Sequence, residues 1–248
     1  MRFTIITLFP EVFTYLDGSI IGRARERGLM SVEYVNPRDF TNDRHRTVDD
    51  IPYGGGPGMV IKPEPIFASA DYIRRELGNR GPLILATPRG EVFSQNKARQ
   101  LAEYEELIFL CGHYEGFDRR IHTLADMELS IGDYVLTGGE LPVMVMVDAI
   151  SRMIPGVIHP ESLAGESFYG GILDHPHYTR PPEFMGMKVP DVLLSGHHEN
   201  IRQWRRREAL GETMRRRPEL LDCAELSRED GKMLRELGHY GEDDYSKQ

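Results

Sequence analysis

Three short loops hold the residues whose types and spacing could support chemistry. They lie in LATPRGE (85–91), LCGHYEGFD (110–118) and SIGDYVLTGGELP (130–142). In each, an apolar run typical of a buried strand ends in polar residues with glycine, and Gly138 and Gly139 allow a tight turn and the close approach of a ligand. Ligands of open α/β sheets bind beyond the carboxyl ends of the strands, so the three loops are predicted to converge on one pocket. Taken singly, each loop is better explained as an ordinary strand-to-helix turn.

Several motifs of other enzyme classes are absent from the sequence. It has no G-x-x-x-x-G-K-[ST] phosphate loop, no G-x-G-x-x-G between a first strand and a helix, no G-x-S-x-G elbow and no H-E-x-x-H. The missing dinucleotide fingerprint disfavours a nicotinamide dehydrogenase. His113, His175 and His177 are the candidate metal ligands, but their scattered placement beside Gly and Pro favours no metal site.

The elements that must position the loops alternate between strands and helices. Apolar runs predict strands at 1–9, 32–35, 83–86, 107–111 and 134–136. Helical spacing predicts helices at 11–27, 64–77, 118–126 and 141–153, and one more that Ser94 caps. This alternation implies an α/β fold with a mainly parallel sheet that helices flank on both faces.

Two segments without either periodicity divide the chain. Residues 36–58 carry DRHRTVDD and YGGGPGM, which indicate either a solvated loop whose charges pair with one another or a hinge that backbone approaches closely. Residues 156–184 are rich in Gly, Pro, His and Ser, which is typical of an interdomain linker. The predicted organisation is a ligand-binding domain at 1–160, a linker at 161–180 and a small helical domain at 181–248.

The composition of the chain limits the classes of function that it can have. The 248 residues carry a formal net charge of −9, which argues against a uniformly basic coat for nucleic acid but not against a local patch. No apolar run reaches membrane-spanning length and no signal peptide is evident, so we expect a cytoplasmic protein without membrane contact. Cys111 and Cys223 are too few and too far apart for a disulfide framework, and Cys111 is predicted to be a small buried hydrophobe.

A local basic patch lies in the predicted helical tail. Seven arginines, opposed within the run by Glu208 and Glu212, surround the only tryptophan, Trp204. They are Arg202, Arg205, Arg206, Arg207, Arg215, Arg216 and Arg217. Two interpretations are equally favoured: a solvated helix face anchored by Trp204, or a surface that contacts the phosphate backbone of a nucleic acid.

Several long motifs in order give the chain a close resemblance to a known family. They are FTNDRHRTVDD with YGGGPGM, CGHYEGFD, SIGDYVLTGGELP, SRMIPGV, ILDHPHYTRP, VPDVLLSGHH and the IRQWRRR run. With these motifs, which cover nearly the whole chain, the sequence resembles the bacterial tRNA (guanine-N1) methyltransferases, which belong to the knotted SPOUT class.

The resemblance implies a fold and a cofactor. A deep trefoil knot, SPOUT-like and in the carboxyl-terminal part of the α/β domain, would hold S-adenosylmethionine, which the reaction converts to S-adenosylhomocysteine. Carried over position by position, the cofactor contacts fall at Leu85, Ala86, Thr87, Pro88, Gly112, Tyr114, Glu115, Gly116, Ile131, Gly132, Tyr134, Leu136, Gly138 and Gly139.

The resemblance also implies a reaction and a catalytic pair. The substrate would be N1 of the guanosine at position 37 of tRNA, immediately 3′ of the anticodon, and the enzyme would be a homodimer whose active sites use both subunits. Glu166 is the implied general base, and Arg152 would stabilise charge on O6. The chain departs from the family pattern at His113, where Arg is frequent, and at Glu166, where Asp is familiar. The alternatives are a SPOUT enzyme that methylates ribose or another base, and a catalytically silent RNA-binding module.

Overall fold

A five-stranded parallel sheet forms the centre of the first of two compact units in the computed structural model, which describes residues 1–238. In chain order the strands are β1 (Arg2–Ile6), β2 (Ser31–Val35), β3 (Asp49–Asp50), β4 (Val60–Ile61), β5 (Leu83–Val92), β6 (Glu106–Leu110), β7 (Met127–Ser130), β8 (Glu183–Phe184) and β9 (Met187–Lys188). The main sheet has the order β2-β1-β6-β5-β7, while β3–β4 and β8–β9 are separate antiparallel pairs. The predicted α/β class with a mainly parallel sheet is confirmed.

Eight α-helices and four 3₁₀ segments accompany these strands in the described part of the chain. The α-helices are α1 (Ser19–Glu26), α2 (Pro63–Arg75), α3 (Gln95–Ala102), α4 (Glu140–Ser151), α5 (Pro160–Ala164), α6 (Asp191–Leu194), α7 (His198–Arg216) and α8 (Arg228–Glu236). The 3₁₀ segments are Pro10–Asp17, Pro37–Phe40, Arg119–Leu124 and Pro218–Leu220. None of the described helices combines the length and the apolar character that a bilayer crossing would need.

Both faces of the sheet are buried, which explains the continuous apolar runs of its inner strands. Ile84 packs on one face with residues of α1, α3 and α4, and the next residue, Leu85, packs on the other with residues of α2. Both side chains are fully buried. The alternation of successive side chains therefore serves two hydrophobic clusters rather than a core and a solvent face.

The structure corrects three predicted elements. The helix expected over 11–27 is divided at Gly18, whose backbone is extended, before α1 begins at Ser19 with a φ of +56°. The helix expected over 118–126 is the shorter 3₁₀ segment Arg119–Leu124. The strand expected at 134–136 is wrong, because the strand is β7, and Val135 in the following loop is 86% exposed.

The second unit begins at His159 and has its own small core. Ile172, Leu210, Leu221 and Leu234 are buried together there, and α7 packs against α8. Ile172 lies within the segment predicted as a linker, so part of 161–180 packs inside this unit. Of the helical tail predicted for 181–248, residues 239–248 lie outside the described residues.

Candidate functional site

The first glycine-bearing loop interrupts β5, and the other two follow β6 and β7, which lie near β5 in the sheet. Their carboxyl ends meet at one edge, and there the loops enclose a pocket of about 370 Å³. This volume falls within the range of ordinary small-molecule sites. The loop at 87–90 is a break in the pairing of β5 with β7, whose register shifts between Ala86 and Glu91.

Direct backbone contacts join the second and third loops. The amide of Gly139 donates to the carbonyl of Gly112 at 2.7 Å, and His113 pairs with Gly138 as an isolated β-bridge. A Cβ added at Gly139 would lie 2.5 Å from the nitrogen of Gly112 and 2.8 Å from Cα of Cys111. Since real Cβ atoms do not approach backbone this closely, only glycine permits the junction.

Unusual backbone conformations occur in the same loops. Tyr114 has a φ of +58°, which is uncommon for a residue with a large side chain. Gly116 and Gly132 have φ values of +114° and +144°, which favour glycine. Strained backbone of this kind clusters at ligand-binding sites, so the conformation of Tyr114 supports a functional loop.

The structure brings almost all the predicted cofactor residues together around the pocket. Thirteen of the fourteen line it, namely Ala86, Thr87, Pro88, Gly112, Tyr114, Glu115, Gly116, Ile131, Gly132, Tyr134, Leu136, Gly138 and Gly139. Leu85 does not, because its side chain is fully buried in the core. A ligand contact at Leu85 would have to come from its backbone. The cofactor roles themselves stay predictions.

Other pocket residues were not singled out from the sequence. Nδ1 of His122, in the 3₁₀ segment after the second loop, lies 2.7 Å from Oε1 of Glu128 on β7. This hydrogen bond leaves Nε2 as the remaining polar atom of the ring. Phe117 and Arg89 also line the pocket. His122 belongs to no spacing motif. The sequence predicted only a helix in this region and no role for this residue.

A buried carboxylate lies behind the glycine turn. Glu140, the first residue of α4, is 7% exposed and accepts a hydrogen bond from Oγ1 of Thr7 at 3.0 Å. The helix amino terminus favours its negative charge.

Burial, and then the charge of Glu140, raise the pKa of the Cys111 thiol well above its usual value. The thiol therefore stays protonated, and Cys111, 3% exposed, is the small buried hydrophobe that was predicted.

His113, where the resemblance leads one to expect Arg, also lines the pocket. Its ring packs against Phe9 and Tyr114, with centroid distances of 4.9 and 4.7 Å. Its Nδ1 atom is buried and has no hydrogen-bond partner among the described residues.

The predicted catalytic pair is divided between the two units. Arg152 follows the last residue of α4 in the first unit, and Glu166 follows α5 in the second. The amide of Glu166 donates to the carbonyl of Leu163 at 3.2 Å, which places it in a turn. The joint role of the two residues stays a prediction.

The arginine run lies on α7 and just beyond it, and most of its charges are paired. Arg202, Arg206, Arg207, Arg215, Arg216 and Arg217 each form an ion pair with a nearby carboxylate. Arg205 is exposed and forms no ion pair with any residue of 1–238. Trp204 is half-buried and contacts His175 and Tyr178 through its ring. The contacts of this helix do not decide between the two interpretations of the arginine run, which stay predictions.

Comparisons with known proteins agree on one family. The family model described as tRNA (Guanine-1)-methyltransferase TrmD matches residues 1–223. A tRNA (guanine-N(1)-)-methyltransferase of Desulforamulus reducens is 54% identical over 241 residues, which cover 96% of this chain and 95% of that protein. A protein of the same name from Desulfitobacterium hafniense is 52% identical over 96% of this chain and 90% of that protein. Another, from Dictyoglomus turgidum, is 52% identical over 96% of this chain and 96% of that protein.

Proposed function

Because the chain belongs to the tRNA (guanine-N1)-methyltransferase family, we propose that it transfers a methyl group from S-adenosylmethionine to N1 of guanosine 37 of tRNA. The chain is an enzyme, and its reaction is methylation of guanine N1 in tRNA. The assignment of S-adenosylmethionine as the methyl donor rests on the single pocket that thirteen of the predicted cofactor residues line. Its volume of about 370 Å³ suits a ligand of nucleoside size.

The lining fits S-adenosylmethionine. Phe117, Tyr134 and Leu136 offer apolar and aromatic surface to a base, and the carboxylate of Glu115 suits a ligand that carries positive charge. The glycines of the loops leave backbone N–H and C=O groups accessible for hydrogen bonds. When bound, the cofactor supplies a methyl group that is already electrophilic, so the protein need not activate it.

The residues of the chain act on the guanine. N1 carries a proton at neutral pH, and the carboxylate of Glu166 takes that proton as general base. Loss of this proton makes the N1 electron pair available to accept the methyl group that bound S-adenosylmethionine would supply. Negative charge that develops on O6 is stabilised by the guanidinium of Arg152. As the family resemblance implies, we propose that one active site takes Arg152 and Glu166 from different subunits of a homodimer.

An apolar surface of the first unit supports the homodimer. Leu141 and Val145 lie one turn apart on α4 and are 55% and 49% exposed. Nearby, the 61%-exposed Tyr15 donates its hydroxyl to Asp148 of α4 at 2.8 Å. Contiguous exposed apolar residues of this kind mark protein interfaces. A second copy of the chain would cover them.

The trefoil knot is part of the same proposal. It is supported by the bond between Gly139 and Gly112, which holds the third loop against the second, and by the β-bridge between Gly138 and His113. The helical second unit would bind the tRNA through α7, and Arg205 would be one of the residues that contact phosphates. We expect the enzyme to act in the cytoplasm, where its substrate is.

The test is methyl transfer to unmodified tRNA. The purified protein is incubated with labelled S-adenosylmethionine and two transcripts, one with guanosine at position 37 and one with adenosine there. We expect label in the first transcript alone, recovered as 1-methylguanosine after digestion to nucleosides. A 2′-O-methylated nucleoside or another methylated base would favour a different SPOUT reaction. Cofactor and tRNA binding without transfer would favour the silent RNA-binding module.

A further inference from the structure

A carboxylate between two imidazoles forms a compact polar cluster in the second unit. Oδ1 of Asp174 lies 2.5 Å from Nδ1 of His175, and Oδ2 lies 2.8 Å from Nε2 of His177. The ligating atoms of the three side chains all lie within 4.8 Å of one another. The two imidazole rings are also in contact, with centroids 4.4 Å apart. Two ring nitrogens thus lie close to the two oxygens of one carboxylate.

The backbone around the cluster is held by side chains from elsewhere in the unit. Thr213 of α7 accepts a hydrogen bond from the amide of Leu173 at 3.0 Å, and Ser167 accepts one from the amide of Asp174 at 2.9 Å. Ligands that are fixed in this way bind a metal ion with less loss of conformational entropy. The His175 side chain is 14% exposed, whereas that of His177 is 71% exposed. The cluster is therefore anchored on one side and open to solvent on the other.

We propose that Asp174, His175 and His177 form a binding site for a transition-metal dication of the Zn²⁺ type. Two imidazole nitrogens and one carboxylate oxygen are a donor set that Zn²⁺ and Co²⁺ prefer, and water on the open side completes four-coordination. Mg²⁺ is disfavoured because it selects oxygen ligands and retains its waters.

The spacing of the ligands has to change in both directions, because ligating atoms that lie up to 4.8 Å apart would approach one another by up to about 1.5 Å. Tetrahedral Zn²⁺ with bonds of about 2.0–2.1 Å separates its ligands by roughly 3.3 Å. The two Asp–His contacts, at 2.5 and 2.8 Å, would open by less than 1 Å to admit the ion. Nδ1 of His175 and Nε2 of His177 would give up the protons shared with Asp174, and each ring would then carry its proton on the other nitrogen. The site uses none of the residues that line the cofactor pocket.

Trp204 provides a direct readout. It is the only tryptophan, and its ring centroid lies 6.4 Å from that of His175. The full-length protein is titrated with Co²⁺ while tryptophan fluorescence and visible absorption are recorded. We expect quenching with one ion per chain and the absorption bands of four-coordinate Co²⁺. Zn²⁺ should displace the Co²⁺, and Mg²⁺ at the same concentration should not.

Single variants assign the ligands. We expect His175→Ala and His177→Ala each to weaken Co²⁺ binding about 100-fold. His198→Ala, which removes an exposed imidazole at the start of α7, should leave binding unchanged. The His177 variant is the more informative one, because its side chain is 71% exposed and its removal disturbs the fold less than removal of the 14%-exposed His175. Unchanged Co²⁺ affinity in a folded His177→Ala protein, or no quenching of the parent protein up to about 1 mM Co²⁺, overturns the proposal.

Discussion

Arg206 of α7 holds both carboxylate oxygens of Asp230 in α8, with N–O distances of 2.7 and 2.9 Å. The Asp230 side chain is 5% exposed and also caps α8, because it accepts hydrogen bonds from the amide and the hydroxyl of Ser227. Burial raises the pKa of Asp230, but the bonds from Arg206 and Ser227 outweigh it and lower the pKa below its usual value. One carboxylate therefore joins the two helices and caps one of them.

The first prediction is that Asp230→Ala destabilises the second unit by about 2–3 kcal/mol. Removal of one partner of a buried pair costs about 3–5 kcal/mol, and the 33% exposure of Arg206 reduces this loss. Urea unfolding followed by Trp204 fluorescence measures the change. Glu236→Ala is the matched control, because its ion pair with Arg207 is about half exposed and is worth about 1 kcal/mol at most. Equal losses in the two variants would contradict the structural role of Asp230.

The second prediction concerns the junction of the cofactor loops. Gly139→Ala should weaken S-adenosylmethionine binding about 10- to 100-fold, because the new Cβ would meet the backbone of Cys111 and Gly112 and force the loops apart. Calorimetric titration measures the affinity. Gly18→Ala is the control, because its Cβ would meet nothing closer than 3.7 Å and its φ is −104°. Normal affinity in Gly139→Ala would remove this junction from the site.

The third prediction assigns the catalytic pair. Glu166→Gln should leave cofactor affinity near normal and slow single-turnover methyl transfer by roughly 10²-fold, the usual scale for a positioned base. Arg152→Ala should slow it by a similar factor, because charge on O6 is then uncompensated. Glu161→Gln, an exposed residue of α5, is the control for the loss of a nearby carboxylate.

Mixed dimers test whether the two residues come from different subunits. Differently tagged Glu166→Gln and Arg152→Ala chains are co-expressed, and the heterodimers are isolated through both tags. If each site takes one residue from each chain, one site is intact and about half of the parent activity returns. Inactive heterodimers would place both residues in a site built from a single chain, and full activity in Glu166→Gln would end its assignment as the base.

The fourth prediction distinguishes the two interpretations of the arginine run. Replacing Arg205 by Gln should weaken tRNA binding and lower the slope of log Kobs against log salt by roughly 0.7–0.9, the effect of one lost phosphate contact. Arg206 should be kept, because it stabilises the fold through Asp230. Arg75→Gln on α2 removes an exposed arginine of the first unit and should not change the slope. An unchanged slope in the Arg205 variant would make that residue part of a solvated face.

The fifth prediction is a pH dependence at the second loop. Hydrogen bonds from the side chain and amide of Arg120 lower the pKa of Asp118 from its ordinary 3.8 to about 2. Since the folded pKa is the lower one, the stability from Asp118 is fully present above about pH 4 and is lost as the pH falls towards 2. The difference in urea midpoint between the parent protein and Asp118→Asn should shrink as the pH falls from 5 to 3. A constant difference would exclude ionisation of Asp118 as its cause.

Periodicity predicted the main sheet because its inner strands are continuous apolar runs with helices between them. It failed at 134–136, where Tyr134, Val135 and Leu136 resemble a strand but are exposed. The apolar content of that loop reflects a pocket lining and not a core. The break at Gly18 was also missed, because glycine within a helical pattern does not specify where the chain turns.

The pocket could be predicted because strand order places consecutive loops at one edge of a parallel sheet. The hydrogen bond from Thr7 to Glu140 could not, since the two residues are 133 positions apart and Thr7 stands in no motif. His175 and His177 were considered as metal ligands and disfavoured, and their contact with Asp174 was not predicted. The three residues are close in sequence, but only the backbone turn directs both imidazoles at one carboxylate.

The order of strands in the main sheet has a consequence for synthesis of the chain. β1 leaves the ribosome before the other strands of the main sheet, and it pairs with β2 on one side and with β6 on the other. About 75 residues separate the end of β2 from the end of β6, which takes roughly 4–15 s at ordinary elongation rates. During that interval one edge of β1 has no partner strand, and Phe3 and Ile5 lack most of their core. A nascent chain that stalls before Leu110 therefore exposes an aggregation-prone edge, and chaperone contact is most needed at this stage.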